Sequence, residues 1–296
     1  MFLDLIPQRF ISWVKYRFDT KLAAPSDLDL DNFSQFLSGN SNVDQDLYRK
    51  SGVLVVKDLF SQEQLDSWRD TALSEAKRDS FKSCFDGKDY WLTNLENFSA
   101  GAKIASHPGV LAILNQIIGP ERVFVGHDSI SIDYSVPGLH DDQNTYRQLF
   151  GDGYAPNVKT VRVLFNLNSS SSMPQKFGFV AGSHKRGTQK IDHAYCEKNI
   201  KWVEVSHGSV IFFDPRVVHS ADPLTHSKVM IVLTYDDQSD EVAAIYTHTF
   251  KNRGQGVGPM AKIWSEIEHH GLKPDFIDGL KGEGIENFMC NGFSFR

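Results

Sequence analysis

The chain has 296 residues, 41% of them hydrophobic and 23% charged, and a formal net charge of −6. That length holds one large domain or two small ones, and the apolar content is far too high for a disordered chain. The acidic balance argues against a general nucleic-acid binder. Three scattered cysteines (Cys84, Cys196 and Cys290) argue against a disulfide framework, so a reducing cytosol is the expected compartment.

In residues 1–18, Phe2, Leu5, Ile6, Phe10, Trp13, Val14 and Phe18 recur near helical spacing, with Arg9, Lys15 and Arg17 among them. The charges follow the apolar residues instead of preceding them, which is not the order of a secretory signal. Such a helix docks on the domain's own core or makes peripheral contact with an anionic membrane surface. Residues 19–45 are polar and read as a linker. The expected division is therefore 1–46, amphipathic helix and linker, and 47–296, a globular domain.

Gly52 to Val56 is a β-branched run bounded by Gly and Asp58, and predicts a strand. Ser61 and Gln64 form a capping-box pattern ahead of a helix that places Leu65, Trp68, Ala72 and Leu73 on one side. Pro108 opens a second helix that reaches Ile118 and stops at Gly119-Pro120. Short apolar segments follow: Val123–Val125, Ser129–Tyr134, Thr160–Asn166, Phe177–Val180, Lys201–Val205, Ser209–Phe213, Val229–Tyr235 and Ala243–Thr249. Strands this short, separated by turns and not by long helices, predict a sandwich or jelly roll with flanking helices. A short helix is expected near Met260 to His269.

His140, Asp142 and His219 are two imidazoles and a carboxylate in the order of a facial triad for Fe(II). The pattern alone is weak. With 11 histidines and 26 aspartates in 296 residues, chance supplies about one His-x-Asp. Alternation along a strand puts residues i and i+2 on one side, which selects Asp142 over Asp141. The plain alternative is a polar loop pair and a hydrogen-bonded histidine.

Four ordered segments around the triplet carry a resemblance. They are Tyr48 to Val56 followed by Phe60 and the capped helix, His107-Pro108-Gly109-Val110-Leu111 leading to Gly119, Phe179-Val180-Ala181-Gly182-Ser183-His184-Lys185, and Gly208 to Phe213 leading into His219. Together they resemble the phytanoyl-CoA dioxygenase family of Fe(II)/2-oxoglutarate oxygenases. Ala181 stands where that family has proline. Pro174-Gln175-Lys176 stands in place of its Asn-Gly pair, and Lys228 in place of an arginine.

The resemblance implies a mainly β fold with flanking α-helices, a double-stranded β-helix (a cupin-like jelly roll). It implies Fe(II) held by His140, Asp142 and His219, with 2-oxoglutarate as cosubstrate and O2 as oxidant. The reaction it implies is oxidation, most simply hydroxylation, of an aliphatic C–H in a small molecule, lipid or glycoconjugate, with release of succinate and CO2. Related halogenases have Ala or Gly at the position of Asp142, so its carboxylate favours hydroxylation over halogenation. The distal carboxylate of 2-oxoglutarate needs a buried cation. Lys228, which opens the apolar run Val229 to Leu233, is the candidate and Arg162 its rival, with Ser220, Thr160 and Asn166 as hydrogen-bonding candidates. Gln143 to Pro156 directly follows the ligand pair and is suited to cover a substrate. The competing functions are a non-catalytic jelly-roll binding module and a cupin-type metalloenzyme that uses no 2-oxoglutarate.

Overall fold

A computed structural model describes residues 42–76, 81–85, 88–94, 98–119, 122–125, 129–132, 138–142, 159–167, 175–186, 192–205, 208–222, 229–237 and 288–289. The helices expected over 1–18 and 260–269, the strand expected at 243–249, the covering loop 143–156 and Lys228 lie outside the described residues. No helix among the described residues is long and apolar enough to cross a membrane.

Helix α1 spans Gln45–Ser51, two residues ahead of the boundary expected at Leu47. The Asp44 side chain accepts from Leu47 N at its start, and Gly52, with φ +76°, ends it. Val43 is buried, and its N–H donates to Gln116 Oε1, so the entry to α1 is tied to a later helix. Strand β1 (Val53–Val56) follows, then α2 (Gln62–Thr71) behind the expected Ser61–Gln64 capping box. A π-helical turn, Ala72–Ala76, continues α2 and changes its phase. Leu73, expected on the apolar side with Leu65, Trp68 and Ala72, is consequently exposed.

The strands β2 (Phe81–Phe85) and β3 (Lys88–Asn94) come next, then helices α3 (Gly101–Ala105) and α4 (Pro108–Ile117). Eight strands follow: β4 (Arg122–Val125), β5 (Ser129–Ile132), β6 (Thr160–Asn166), β7 (Gln175–Val180), β8 (Lys201–Val205), β9 (Val210–Phe213), β10 (Val218–Ala221) and β11 (Val229–Asp237). Helix α5 (His193–Asn199) lies between β7 and β8, and a two-residue strand β12 is Phe288–Met289. One sheet runs β1-β9-β6-β11-β5-β3-β2, with β4 against β11 and β12 against β4; the other is β10-β7-β8. This is the jelly roll that the strand pattern and the resemblance predicted.

Alternation along the strands of the large sheet builds two cores. Leu54, Val56, Val161, Val163, Val210, Phe212, Ile231 and Leu233 pack with helix residues such as Leu65, Trp68, Ile113 and Leu114. Val53, Val55, Leu164, Ile211, Phe213 and Met230 pack against Phe177, Phe179, Val203 and Val205 of the small sheet. Both faces of β1 and β9 are therefore covered, which is why Val53–Val56 and Val210–Phe213 read as unbroken apolar runs. Each such side chain stabilises by about 1.5–3 kcal/mol relative to exposure. The inner core between the sheets is the layer that reaches the candidate site.

Candidate metal centre

The small sheet carries His219. Strand β10 pairs antiparallel with β7, so His219 lies opposite Phe179. His219 and Ala221 share a face, and Ala221 belongs to the inner core. The imidazole thus emerges at the edge of the space between the sheets, with its side chain only 12% exposed. Phe213 meets it edge-on at 5.1 Å and Phe179 lies roughly parallel to it at 6.4 Å. Two aromatic rings on two sheets therefore fix the ring plane.

His140 joins β10 through an isolated antiparallel bridge. His140 N donates to His219 O at 2.9 Å and His219 N donates to His140 O at 2.8 Å. Two residues on, Asp142 N donates to Pro215 O at 2.9 Å. His140 therefore sits at one paired position and not in a continuous strand, and the i, i+2 relation brings Asp142 alongside. The two histidine rings lie 4.3 Å apart. Asp142 Oδ2 is 3.8 Å from His219 Nε2, too far for a direct hydrogen bond. One ligand atom from each of the three residues lies within 4.8 Å of the others, the spacing of groups able to share one ion.

The tautomers are set by the backbone. His140 Nδ1 is 2.8 Å from Gly138 O, and His219 Nδ1 is 2.8 Å from Val217 O. A carbonyl oxygen only accepts, so each Nδ1 carries a hydrogen, which in a neutral ring leaves the lone pair on Nε2. Metal-ligating histidines use this arrangement, the second nitrogen anchored and the first free to coordinate. Burial, helped by the neighbouring His140 and opposed by Asp142, pushes His219 down to about 4, so its imidazole is neutral near pH 7. Two imidazoles with an adjacent carboxylate are a donor set that suits Fe(II).

Of the four described residues expected around the cosubstrate, Arg162 is the one placed against the triad. Its Nη1 lies 3.3 Å from Asp142 Oδ2, and it sits opposite Phe213 in the β6–β9 pairing. It points inward on β6, the face it shares with Leu164 of the inner core. Thr160 and Asn166 are buried at the two ends of the same strand, and Thr160 Oγ1 donates to Asp236. The Ser220 hydroxyl accepts from Gly138 N at 3.1 Å and donates to Ala221 O at 3.2 Å. It thereby ties the segment that presents His140 to β10.

Four contributors were not picked from the sequence. Phe179 and Phe213 bracket His219, and Asp214 and Arg216 shape the turn before it. A signal existed for the last two. They are opposite charges inside the apolar run Val210 to Val218, where a charge is expensive unless paired.

The chain is 22% identical over 190 residues to an uncharacterized protein of Mycobacterium bovis and to one of Mycobacterium tuberculosis, covering 60% of this chain and 69% of theirs. Among solved structures, it is similar to SnoK, a non-heme alpha-ketoglutarate-dependent carbocyclase from nogalamycin biosynthesis. That similarity has a TM-score of 0.53 and 16% identity, and covers 69% of this chain and 87% of SnoK. EctD from S. alaskensis, in its apo form, gives a TM-score of 0.52 and 14% identity over 69% of this chain and 80% of EctD. At these identities the structures speak for the fold alone. The family model for phytanoyl-CoA dioxygenase matches residues 48–228, the span that holds every strand of the small sheet and all three candidate ligands, and the chain belongs to that family.

Proposed function

We propose that this protein is an Fe(II)/2-oxoglutarate-dependent oxygenase that hydroxylates an aliphatic C–H of a small molecule and releases succinate and CO2. The observation that carries the reading is the triad itself: one ligand atom each of His140, His219 and Asp142 lies within 4.8 Å of the others, and the Nδ1 of both histidines is tied to a backbone carbonyl. When bound, the iron supplies the redox chemistry that couples decarboxylation of 2-oxoglutarate to oxidation of the substrate.

The residues divide the remaining work. His140 and His219 offer imidazole donors, and Asp142 offers the carboxylate. Phe179 and Phe213 keep water from the buried side of His219 and hold its plane. Arg162 keeps a positive charge beside Asp142, where it orients the carboxylate and attracts an anionic cosubstrate. Lys228 is the proposed anchor of the distal carboxylate. The carboxylate at position 142 supports hydroxylation over halogenation. SnoK is described as a carbocyclase and SnoN, similar at a TM-score of 0.50, as an epimerase. The same fold thus serves other outcomes, and product analysis has to accompany any turnover assay.

The test is anaerobic addition of Fe(II) and 2-oxoglutarate. A visible charge-transfer band is expected in the parent protein and absent in His219→Ala, whose fold remains. Folded parent protein without a band would overturn the proposal. Lys228→Ala and Arg162→Ala separate the anchors: the one that anchors raises the 2-oxoglutarate concentration needed for half the band. A succinate-release screen over a panel of small molecules then names the substrate class.

A further inference from the structure

We propose that the buried pair Asp214 and Arg216 is a positioning device for the metal ligands: it sets the turn whose carbonyls fix Asp142 and His219. The inference rests on reading His140, Asp142 and His219 as ligands to one ion.

Asp214 and Arg216 lie on the connection that leaves the large sheet at Phe213 and enters the small sheet at Val218. They are 5% and 8% exposed. Arg216 Nε donates to Asp214 Oδ1 at 2.6 Å, and Nη2 donates to Oδ2, a two-pronged grip. The same Oδ1 accepts from Arg216 N at 2.9 Å, and Val217 N donates to Asp214 O at 2.9 Å. One carboxylate therefore closes a tight turn and is itself held by the guanidinium. Asp214 N donates to Gly52 O, which moors the turn to the start of β1.

The carbonyls of this turn are the ones the ligands use. Pro215 O accepts from Asp142 N at 2.9 Å, and Val217 O accepts from His219 Nδ1 at 2.8 Å. The backbone of one ligand and the tautomer of another thus depend on the shape of four residues. A buried ion pair is a poor way to gain stability, because apolar residues of similar volume do as well or better. What the pair does supply is a unique turn geometry, and that geometry is read by the metal site.

The experiment uses the full chain and Co(II), whose visible absorption reports ligand geometry. Asp214→Leu combined with Arg216→Met replaces the pair by apolar side chains of similar size. It should melt near the parent temperature, bind Co(II) about 10- to 100-fold more weakly and show an altered spectrum, the range seen when groups behind metal ligands are removed. Asp214→Asn keeps Oδ1 for Arg216 N–H and should recover part of that loss.

A folded double variant with the parent's Co(II) affinity and spectrum would overturn the inference. So would affinity losses that merely follow melting temperature across the variants. If the double variant does not fold, Arg216→Lys, which keeps the charge and gives up the two-pronged grip, is judged by the same two criteria. A parent protein that binds no Co(II), or binding that survives His219→Ala, would defeat the ligand reading itself, a result distinct from failure of the turn.

Discussion

A histidine suited to coordinate and a histidine that packs differ in where their two nitrogens point, and His219 and His184 show the contrast. His219 has Nδ1 anchored and Nε2 free toward Asp142. His184 is the reverse: its Nε2 donates to Arg49 O at 3.2 Å, and its buried Nδ1 has no hydrogen-bond partner among the described residues. A Cβ added at Gly52 would lie 2.6 Å from that Nδ1, so the nitrogen faces backbone and a proton there finds no acceptor. Burial, the largest cause, pushes His184 down to about 4 against the pull of Asp214. The unfolded chain binds this proton near 6.5, so between about 4 and 6.5 the unfolded state carries more protons than the folded one. His184 thus contributes stability that is fully present above 6.5 and is lost as pH falls toward 4, on the order of 3 kcal/mol. His184→Gln keeps a donor for Arg49 O and removes the titration. The urea-midpoint difference between parent and variant should shift in favour of the variant as pH falls through this window. A difference that stays constant would contradict the assignment.

Gly52 shows how one element end positions another. It ends α1 at φ +76°, and an added Cβ would lie 2.5 Å from Val217 Cγ2 as well as against His184. The left-handed backbone costs about 1–2 kcal/mol for a non-glycine residue, and forcing a methyl into the packed site adds about 1–3 kcal/mol. Gly52→Ala should therefore lower urea stability by about 2–5 kcal/mol. Because Val217 O holds His219, Co(II) affinity should fall with it; a stability loss below about 0.5 kcal/mol would show that the close approach is not real. The glycine was legible as the start of a strand, but not as a cap, since nothing local reveals that Val217 returns to it. The same limit governs the other elements. Thr160–Asn166 and Lys201–Val205 were read with their observed bounds, because β-branched and aromatic residues mark them. The hairpin β2–β3 and strand β10 were missed. β10 is the four residues Val-His-Ser-Ala, whose strand character comes from pairing with β7 and not from composition. Strand alternation selects Asp142 over Asp141, but the single bridge from His140 to His219 is a tertiary fact that no window of sequence contains.

At the scale of the molecule, the candidate centre lies where the two sheets converge. Arg162 comes from the large sheet, His219 from the small one, and the turn from Asp214 to Val217 joins them. His140 and Asp142 were legible as a pattern, but chance could supply that pattern; what turns it into a site is the closing of the inner core under it. An ion held there binds only the closed arrangement, since the unfolded chain does not bring the three ligands together. Binding must then stabilise the fold by mass action, about 2.7 kcal/mol at a free metal concentration 100 times the dissociation constant. In a domain of this size that is a rise in melting temperature of about 5–10 °C. Co(II) should produce the rise in the parent protein, in proportion to the logarithm of its concentration, and should produce none in His219→Ala or Asp142→Ala. If Co(II) binds the parent yet leaves its melting temperature unchanged, the ion is not held between the sheets, and the centre has to be sought elsewhere on the chain.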